Sequence, residues 1–141
     1  MATLSKDTPR VYEIGDINEF PVIAADIIYE GAAVGENGSG YSRPLQGGDV
    51  FQGFAEKTVD NSEGAAGAKN VRVQEKGKIK VSISSLAITA NDRPAVYMSD
   101  DDTFTLTATS NSLIGYVARW VSTGVAIVEF NAGLVRAALQ A

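Results

Sequence analysis

The sequence predicts an all-β fold, an antiparallel β-sandwich or β-barrel with little helix and a flexible N-terminal arm. Three observations predict it. Short runs rich in β-branched and aromatic residues recur along the chain, and clusters of glycine, asparagine, aspartate and serine separate them. Several runs also alternate polar and apolar residues, which is the period of a half-buried strand. The spacing indicates about eight to ten short strands, and 141 residues suit one domain.

The predicted domain begins after an arm. Residues 1–9 are mostly polar and end in a proline, which is typical of a flexible terminus. We therefore expect a single β domain over residues 10–141. Its first strands are predicted in "RVYEI" and in "FPVIAADIIYEG", which are rich in β-branched and aromatic residues.

Two loops divide the middle of the chain. "GENGSG" contains Asn37 followed by Gly38, a pair typical of β-hairpin turns. A strand is predicted in "GGDVFQGFAEKTV", and the small polar loop "DNSEGAAGAKN" follows it. Glycine-rich loops that bind phosphate are usually followed by a lysine and a helix. A strand follows here, so we predict no phosphate site.

The segment "NVRVQEKGKIKVSI" predicts a second hairpin, which turns at Lys76 and Gly77. Because side chains alternate along a strand, apolar residues share one face and cationic residues share the other. The apolar set is Val71, Val73, Ile79, Val81 and Ile83, and the cationic set, the basic stripe, is Arg72, Lys78 and Lys80. The basic stripe is either a solvated face or a contact for an acidic partner.

Three consecutive aspartates, Asp100, Asp101 and Asp102, form either a turn or a metal or catalytic site. Calcium loops place oxygen ligands at alternating positions, and adjacent side chains of an extended chain point to opposite sides. Their carboxylates also repel one another unless a cation lies between them. We expect a turn with its carboxylates in water, and a cation site is the alternative.

The C-terminal third predicts further strands and a short helix. "TFTLTAT" alternates like a half-buried strand over residues 103–109, and "LIGYVARWV" with "GVAIVEF" predicts a hairpin that turns at "STG". Strict alternation places Ile114, Tyr116, Ala118 and Trp120 on one face of its first strand, and Leu113, Val117 and Val121 on the other. Two apolar faces indicate a central strand or one covered by another subunit. The tail "AGLVRAALQA" suits a short helix.

The composition excludes several classes of site. Cysteine and histidine are both missing, which removes thiol nucleophiles, the Ser-His-Asp triad and the commonest zinc ligands. A net charge of −5 does not favour nonspecific binding to nucleic acid. No apolar run reaches the roughly 18 residues of a membrane span, and we see no signal peptide. We predict no enzymatic activity, no cofactor and no metal site.

The C-terminal half resembles a family of small structural proteins of tailed bacteriophages. The segment "PAVYMSDDDTFTLTATSNSLIGYVARWVSTGVAIVEF" is similar to the capsid cement, or head decoration, proteins. Their pattern is a strand ending near "PVY", a turn, a threonine-rich strand, a "GN-x-x-I-G-x-V" step and a final hairpin. Ser110 stands where that step has its glycine. The resemblance covers roughly residues 71–131, and "GDVFQGFAEKTVDNSEGAAGAKNVRV" is loosely similar too.

The resemblance implies a protein that binds the outer surface of the expanded phage head and clamps neighbouring subunits of the major capsid protein. It implies a homotrimer located on the virion, and in the host cytoplasm during assembly, with no direct contact to nucleic acid or membrane. We hypothesise that the arm and the basic stripe contact the capsid, through Ala2, Thr3, Leu4, Ser5, Lys6, Arg10, Arg72, Lys78 and Lys80. We expect Tyr116 and Trp120 near a subunit interface.

The alternative function is a carbohydrate- or receptor-binding β module of a virion head fibre. Such a module needs exposed aromatic rings for stacking. The candidates are Tyr97, Tyr116 and Trp120.

Overall fold

The all-β prediction is confirmed. A computed structural model describes residues 5–7, 13 and 15–140. Within these residues the strands are β1 Ile17–Pro21, β2 Asp26–Ile28, β3 Ala33–Glu36, β4 Ser42–Pro44, β5 Val50–Ala55, β6 Val59–Asn61, β7 Asn70–Gln74, β8 Lys76–Ser82, β9 Ala95–Met98, β10 Phe104–Thr105, β11 Ser112–Ser122 and β12 Val125–Asn131. The helices are a 3-10 helix at Ile88–Asp92 and α1 at Ala132–Gln140.

The strands form two five-stranded sheets and one small pair. The first sheet has the order β1-β7-β5-β3-β4, the second β10-β9-β11-β12-β8, and β2 pairs with β6. Paired strands in all three are antiparallel. An isolated parallel bridge joins Ile83, which follows β8, to Phe104 in β10. Because β8 and β10 are the two edges of the second sheet, this bridge brings those edges together and curls the sheet.

Two apolar clusters stabilise the sheets. The main core contains residues of both five-stranded sheets, including Phe54 of β5 and Val128 of β12. The second cluster lies on the other side of the first sheet and includes Ile28 of β2. Ala33 belongs to the main core and Val34 to the second cluster. Since neighbouring side chains of a strand point to opposite faces, β3 is buried on both faces.

Phenylalanine rings join the two sheets in the main core. Phe54 contacts Phe130 of β12 edge-to-face, with ring centroids 4.8 Å apart, and it contacts Phe51 at 5.4 Å. Phe51 and Phe54 are three residues apart, a spacing that would place them on opposite faces of a regular strand. A bulge in β5 shifts its register against β3 between them, so both rings reach the same core.

Several predicted elements are confirmed. Asn37 and Gly38 lie in the loop of the β3–β4 hairpin, and β11 and β12 form the predicted last hairpin. The predicted tail helix is α1.

The predicted second hairpin is wrong. β7 belongs to the first sheet and β8 to the second, so the chain crosses between sheets at Glu75 instead of turning at Lys76 and Gly77. Two hydrogen bonds hold the crossing: the Glu75 N–H donates to Asp16 O, and the Ala132 N–H donates to Glu75 O, both at 2.9 Å. Alternation correctly assigned the apolar faces of β7 and β8, but it carries no information on which sheet buries each face.

The threonine-rich strand is shorter than predicted. β10 contains only Phe104 and Thr105 and pairs with β9 over those two residues. Leu106, predicted to be half-buried, is 41% exposed. The Thr107 N–H donates to Thr105 Oγ1 at 3.1 Å, and such local hydrogen bonds compete with strand pairing.

The predicted faces of β11 are also wrong. Its pairing with β9 shifts between Leu113 and Gly115, and its pairing with β12 shifts between Val117 and Arg119. Each shift changes the phase of alternation. Ile114 and Val117, predicted on opposite faces, are both buried in the main core. Tyr116 and Trp120, predicted on one face, are therefore separated.

Replacement of Phe54 by alanine is expected to destabilise the fold by about 3–5 kcal/mol, the usual range for a buried phenylalanine. The Phe54 ring, from the first sheet, contacts Phe104 and Phe130 of the second. The free energy of unfolding in urea measures the loss. Phe20→Ala is the matched control, because Phe20 is only partly buried, against the second cluster. An equal loss in both variants would contradict a special role for Phe54.

Gly53→Ala is expected to be more destabilising than Gly31→Ala. Both glycines have positive φ, 126° and 85°, so alanine is strained at each position. A Cβ at Gly53 would also lie 2.5 Å from Gln74 O, whereas a Cβ at Gly31 would meet nothing within 4 Å. The difference in unfolding free energy should be about 1–3 kcal/mol, the usual cost of overpacking. Equal losses would show that backbone strain alone acts at Gly53.

Candidate interaction surface

A row of polar side chains crosses the outer face of the second sheet. Tyr116 on β11 lies opposite Glu129 on β12, which lies opposite Lys78 on β8. The neighbours of Glu129 along β12 are buried in the main core, so the row points away from it. The Arg93 guanidinium lies 4.9 Å from the centroid of the Tyr116 ring, and its Nη2 donates to Tyr116 Oη at 3.3 Å. We call Arg93, Tyr116, Glu129 and Lys78 the Tyr116 row.

The Tyr116 hydroxyl is held in its protonated form. Its pKa is raised, first because the hydroxyl donates a hydrogen bond to the Glu129 carboxylate and second by desolvation, while the charge of Arg93 lowers it. The phenol therefore links a cation and an anion, accepting from one and donating to the other.

An apolar groove of about 260 Å³ lies between the Tyr116 row and α1. Its apolar lining is Ala95, Leu113, Phe130, Leu134, Val135 and Ala138. α1 begins at Ala132, where Asn131 Oδ1 accepts the Leu134 N–H at 3.1 Å and caps the helix. Ala132 and Val135 pack on the main core, which leaves Leu134 68% exposed.

A second groove, of about 320 Å³, also runs along α1. Leu113 and Val135 line both grooves, and Leu139, which is 59% exposed, borders the second. Asp49 and Arg136 provide charges at this groove. We call the two grooves with Leu134 and Leu139 the α1 surface. An apolar centre with charged neighbours is the usual composition of a protein–protein interface.

Trp120 belongs to the core side of β11. It lies opposite the buried Ala126 and packs against the main core. Its backbone N–H donates to Asn91 Oδ1 at 2.8 Å, and its indole Nε1 is buried without a hydrogen-bond partner among the described residues. Trp120 is thus positioned by packing, unlike Tyr116, which lies on the outer face.

The basic stripe does not lie on one hairpin. Arg72 is exposed on β7 of the first sheet, whereas Lys78 and Lys80 are exposed on β8 of the second. Arg72 Nε lies 3.8 Å from Glu56 Oε1, and Lys78 lies opposite Glu129. Acidic side chains therefore accompany two of the three cations, and only Lys78 and Lys80 share a strand.

The predicted arm contacts fall mostly outside the described residues. Ala2, Thr3, Leu4 and Arg10 lie there, while Ser5 and Lys6 are described and exposed. A contact between this segment and the capsid stays a prediction.

The acidic cluster forms the turn that the sequence predicts. The Asp102 N–H donates to Asp100 Oδ1 at 2.9 Å, and the Ser99 N–H donates to Thr103 O at 3.1 Å. The Ala33 N–H donates to Asp101 O at 2.9 Å, which ties the loop to β3. Within residues 5–7, 13 and 15–140, no three acidic side chains are grouped so as to hold a metal ion.

Neighbouring aspartates of this turn have opposite pKa shifts. The pKa of Asp100 is lowered, chiefly because its carboxylate accepts the Asp102 N–H. The pKa of Asp101 is raised, first by burial and then by the negative charges of Asp100, Asp102 and Asp26. Folding therefore favours the ionised form of Asp100 and disfavours the ionised form of Asp101.

A third groove has a hydroxyl-rich lining. It measures about 500 Å³ and lies between the 3-10 helix and β10. Its polar lining includes Ser84, Ser85, Thr89, Asp92, Thr105 and Thr107. Hydroxyl and carboxylate groups of this kind suit hydrogen bonding to a polar ligand.

Sequence reasoning missed most of the α1 surface and the partners of Tyr116. Leu134, Val135 and Leu139 were visible as apolar residues of the predicted tail helix, and their spacing would have indicated more than one apolar side. The contact of Arg93 with Tyr116 had no sequence signal, because 23 residues separate them.

No model of a known protein family matches the chain, and no curated protein matches it significantly. Among the described residues, no helix is both long and apolar enough to cross a membrane.

Asp101→Asn is expected to stabilise the protein at neutral pH and to have little effect near pH 3. Folding raises the pKa of Asp101, so the folded state binds its proton more tightly than the unfolded state. Stability contributed by the protonated form is therefore lost as pH rises from about 4, the pKa of an unfolded aspartate. Melting temperatures across this range measure the effect.

Asp92→Asn is the control for net charge, because Asp92 is exposed. At neutral pH it should raise the melting temperature less than Asp101→Asn does. If Asp101→Asn lowers the melting temperature at neutral pH, or if both variants shift it equally, the assigned cause is wrong.

Proposed function

We propose that this chain is a capsid decoration, or cement, protein of a tailed bacteriophage. It binds the outer surface of the expanded head as a homotrimer and clamps neighbouring major capsid subunits without covalent bonds. It acts on the virion, after assembly in the host cytoplasm, by binding alone and with no catalytic step.

The observation that carries the proposal is the match between the resemblance and one structural unit. The resemblance to cement proteins covers roughly residues 71–131, which begin within β7 of the first sheet. The same residues contain all five strands of the second sheet, from β8 to β12. The resemblance therefore spans one complete sheet together with the turns between its strands.

The surface chemistry also supports a binding protein. The α1 surface exposes Leu134 and Leu139 beside apolar grooves, and the Tyr116 row adds fixed donors and charges next to it. Arginine and tyrosine are enriched where proteins bind one another. We assign the α1 surface and Tyr116 to the contact between subunits, and Lys78 and Lys80 on the β8 edge to the capsid.

Binding alone accounts for shell stabilisation. A ligand that binds the assembled shell and not its dissociated subunits shifts the equilibrium toward the shell by mass action. Repetition of the site over a symmetric lattice multiplies that effect, and a trimer that contacts several subunits gains further from multivalency.

Purified protein should co-sediment with expanded shells that lack it, saturate at a fixed number of copies per lattice site, and raise the temperature at which the shells open. A homotrimer in solution, measured by light scattering, should accompany this. Failure to bind at micromolar protein would contradict the proposal.

Two variants locate the capsid contact. Deletion of residues 1–9 is expected to lower shell occupancy while leaving the melting temperature of the free protein unchanged. Charge reversal at Lys78 and Lys80 should do the same, whereas Lys57→Glu, at another exposed lysine, should not. Unchanged occupancy in the first two variants would remove the arm and the lysine pair from the interface.

The second candidate function is a carbohydrate-binding module of a head fibre. The hydroxyl-lined groove beside the 3-10 helix favours it. Neither Trp120, which packs on the core, nor Tyr116, with Arg93 over its ring, offers the open stacking face expected of such a module. Binding to a glycan array, lost on Thr105→Val or Thr107→Val, would favour this function over cement activity.

A further inference from the structure

We propose that the β3–β4 loop is a self-modification site, where Asn37 loses its side-chain amide by forming a succinimide with the backbone of Gly38. The chain has seven asparagines, and Asn37 is followed by glycine whereas the other six are not. This inference does not depend on capsid binding. It rests on four hydrogen bonds around the reacting atoms.

The nucleophile of the reaction is the backbone nitrogen of Gly38. Its N–H donates to Glu36 Oε2 at 2.7 Å, and the Gly40 N–H donates to the same oxygen at 2.7 Å. The second donor holds the carboxylate in place. A carboxylate at hydrogen-bond distance from a proton that must be removed has the geometry of a general base. Gly38 is exposed and lacks a Cβ that would obstruct attack.

The electrophile is the side-chain carbonyl carbon of Asn37, the residue preceding the nucleophile. Asn37 Oδ1 accepts the Ser39 N–H at 2.8 Å and the Tyr41 N–H at 3.3 Å. Attack on the carbonyl carbon moves negative charge onto this oxygen. Backbone N–H groups that already point at it stabilise that charge, as in an oxyanion hole.

The reaction balances with water as its only co-reactant. The Gly38 nitrogen forms a bond to Asn37 Cγ while Glu36 takes its proton. The C–N bond to the side-chain amide then breaks, and that nitrogen leaves as ammonia with the proton held by Glu36. Water opens the resulting five-membered ring at either carbonyl. The products are an aspartyl or an isoaspartyl linkage at position 37 and one ammonia.

The isoaspartyl product alters the edge of the first sheet. It inserts one carbon into the backbone directly after Glu36, which pairs with Ser42 on the edge strand β4. It also adds a carboxylate beside Glu36. Both changes weaken the hairpin. Because the loss of ammonia is irreversible, the fraction of chains with a weakened hairpin rises as the protein is stored.

The test is incubation of the purified full-length chain at neutral pH, followed by peptide mass spectrometry and enzymatic methylation of isoaspartyl groups. Asn37 should convert faster than Asn111, which precedes a serine and serves as an internal reference. It should also convert faster in the folded chain than in the same chain unfolded in urea, because only the fold assembles the four hydrogen bonds. Equal or faster conversion in urea would overturn the proposal.

Two glutamate variants test the base. Glu36→Gln should slow conversion at Asn37 about a hundredfold, the low end of the usual range for general-base catalysis. Glu30→Gln, which removes the same charge at another exposed side chain, should leave the rate unchanged. Circular dichroism establishes that each variant is folded. An unchanged rate in Glu36→Gln, or equal slowing in both variants, would remove Glu36 from the reaction.

Discussion

The contact between Phe54 and Phe130 is the interaction on which the rest of the structure depends. It joins β5 of the first sheet to β12 of the second, with ring centroids 4.8 Å apart. It lies within a main core to which both sheets contribute buried residues, and Phe51 also contacts Phe130, with ring centroids 6.3 Å apart. The bulge between Phe51 and Gly53 makes the contact possible, because it turns Phe54 toward the same side as Phe51.

A bulge in β11 determines which aromatic side chain lies on the outer face of the second sheet. The register shift in β11 after Val117 places Trp120 on the core side of the sheet, whereas Tyr116 lies on the solvent side. Tyr116 then lies between Arg93 and Glu129, while α1, which follows β12 directly, presents Leu134 beside it. Bulges are common where a sheet must redirect a side chain for function. Core packing and the proposed subunit contact thus depend on the same strand.

The proposed activities lie at separate places in the fold. The α1 surface and the Tyr116 row belong to the second sheet, which also carries the resemblance to cement proteins. Asn37 lies in a loop at the edge of the first sheet. A change in the loop therefore acts first on β3 and β4 of the first sheet, which the loop joins.

Local patterns in the sequence determined the β class, the last hairpin, the tail helix and the acidic turn, because turn residues and alternation act over a few neighbouring residues. The tertiary structure alone decided that β7 and β8 separate into different sheets, that β10 ends at Thr105, and that Tyr116 and Trp120 face opposite ways. The physical reason is that strand partners and bulges are selected by contacts between residues far apart in sequence. Alternation shows which side chains share a face, and only packing shows what that face covers.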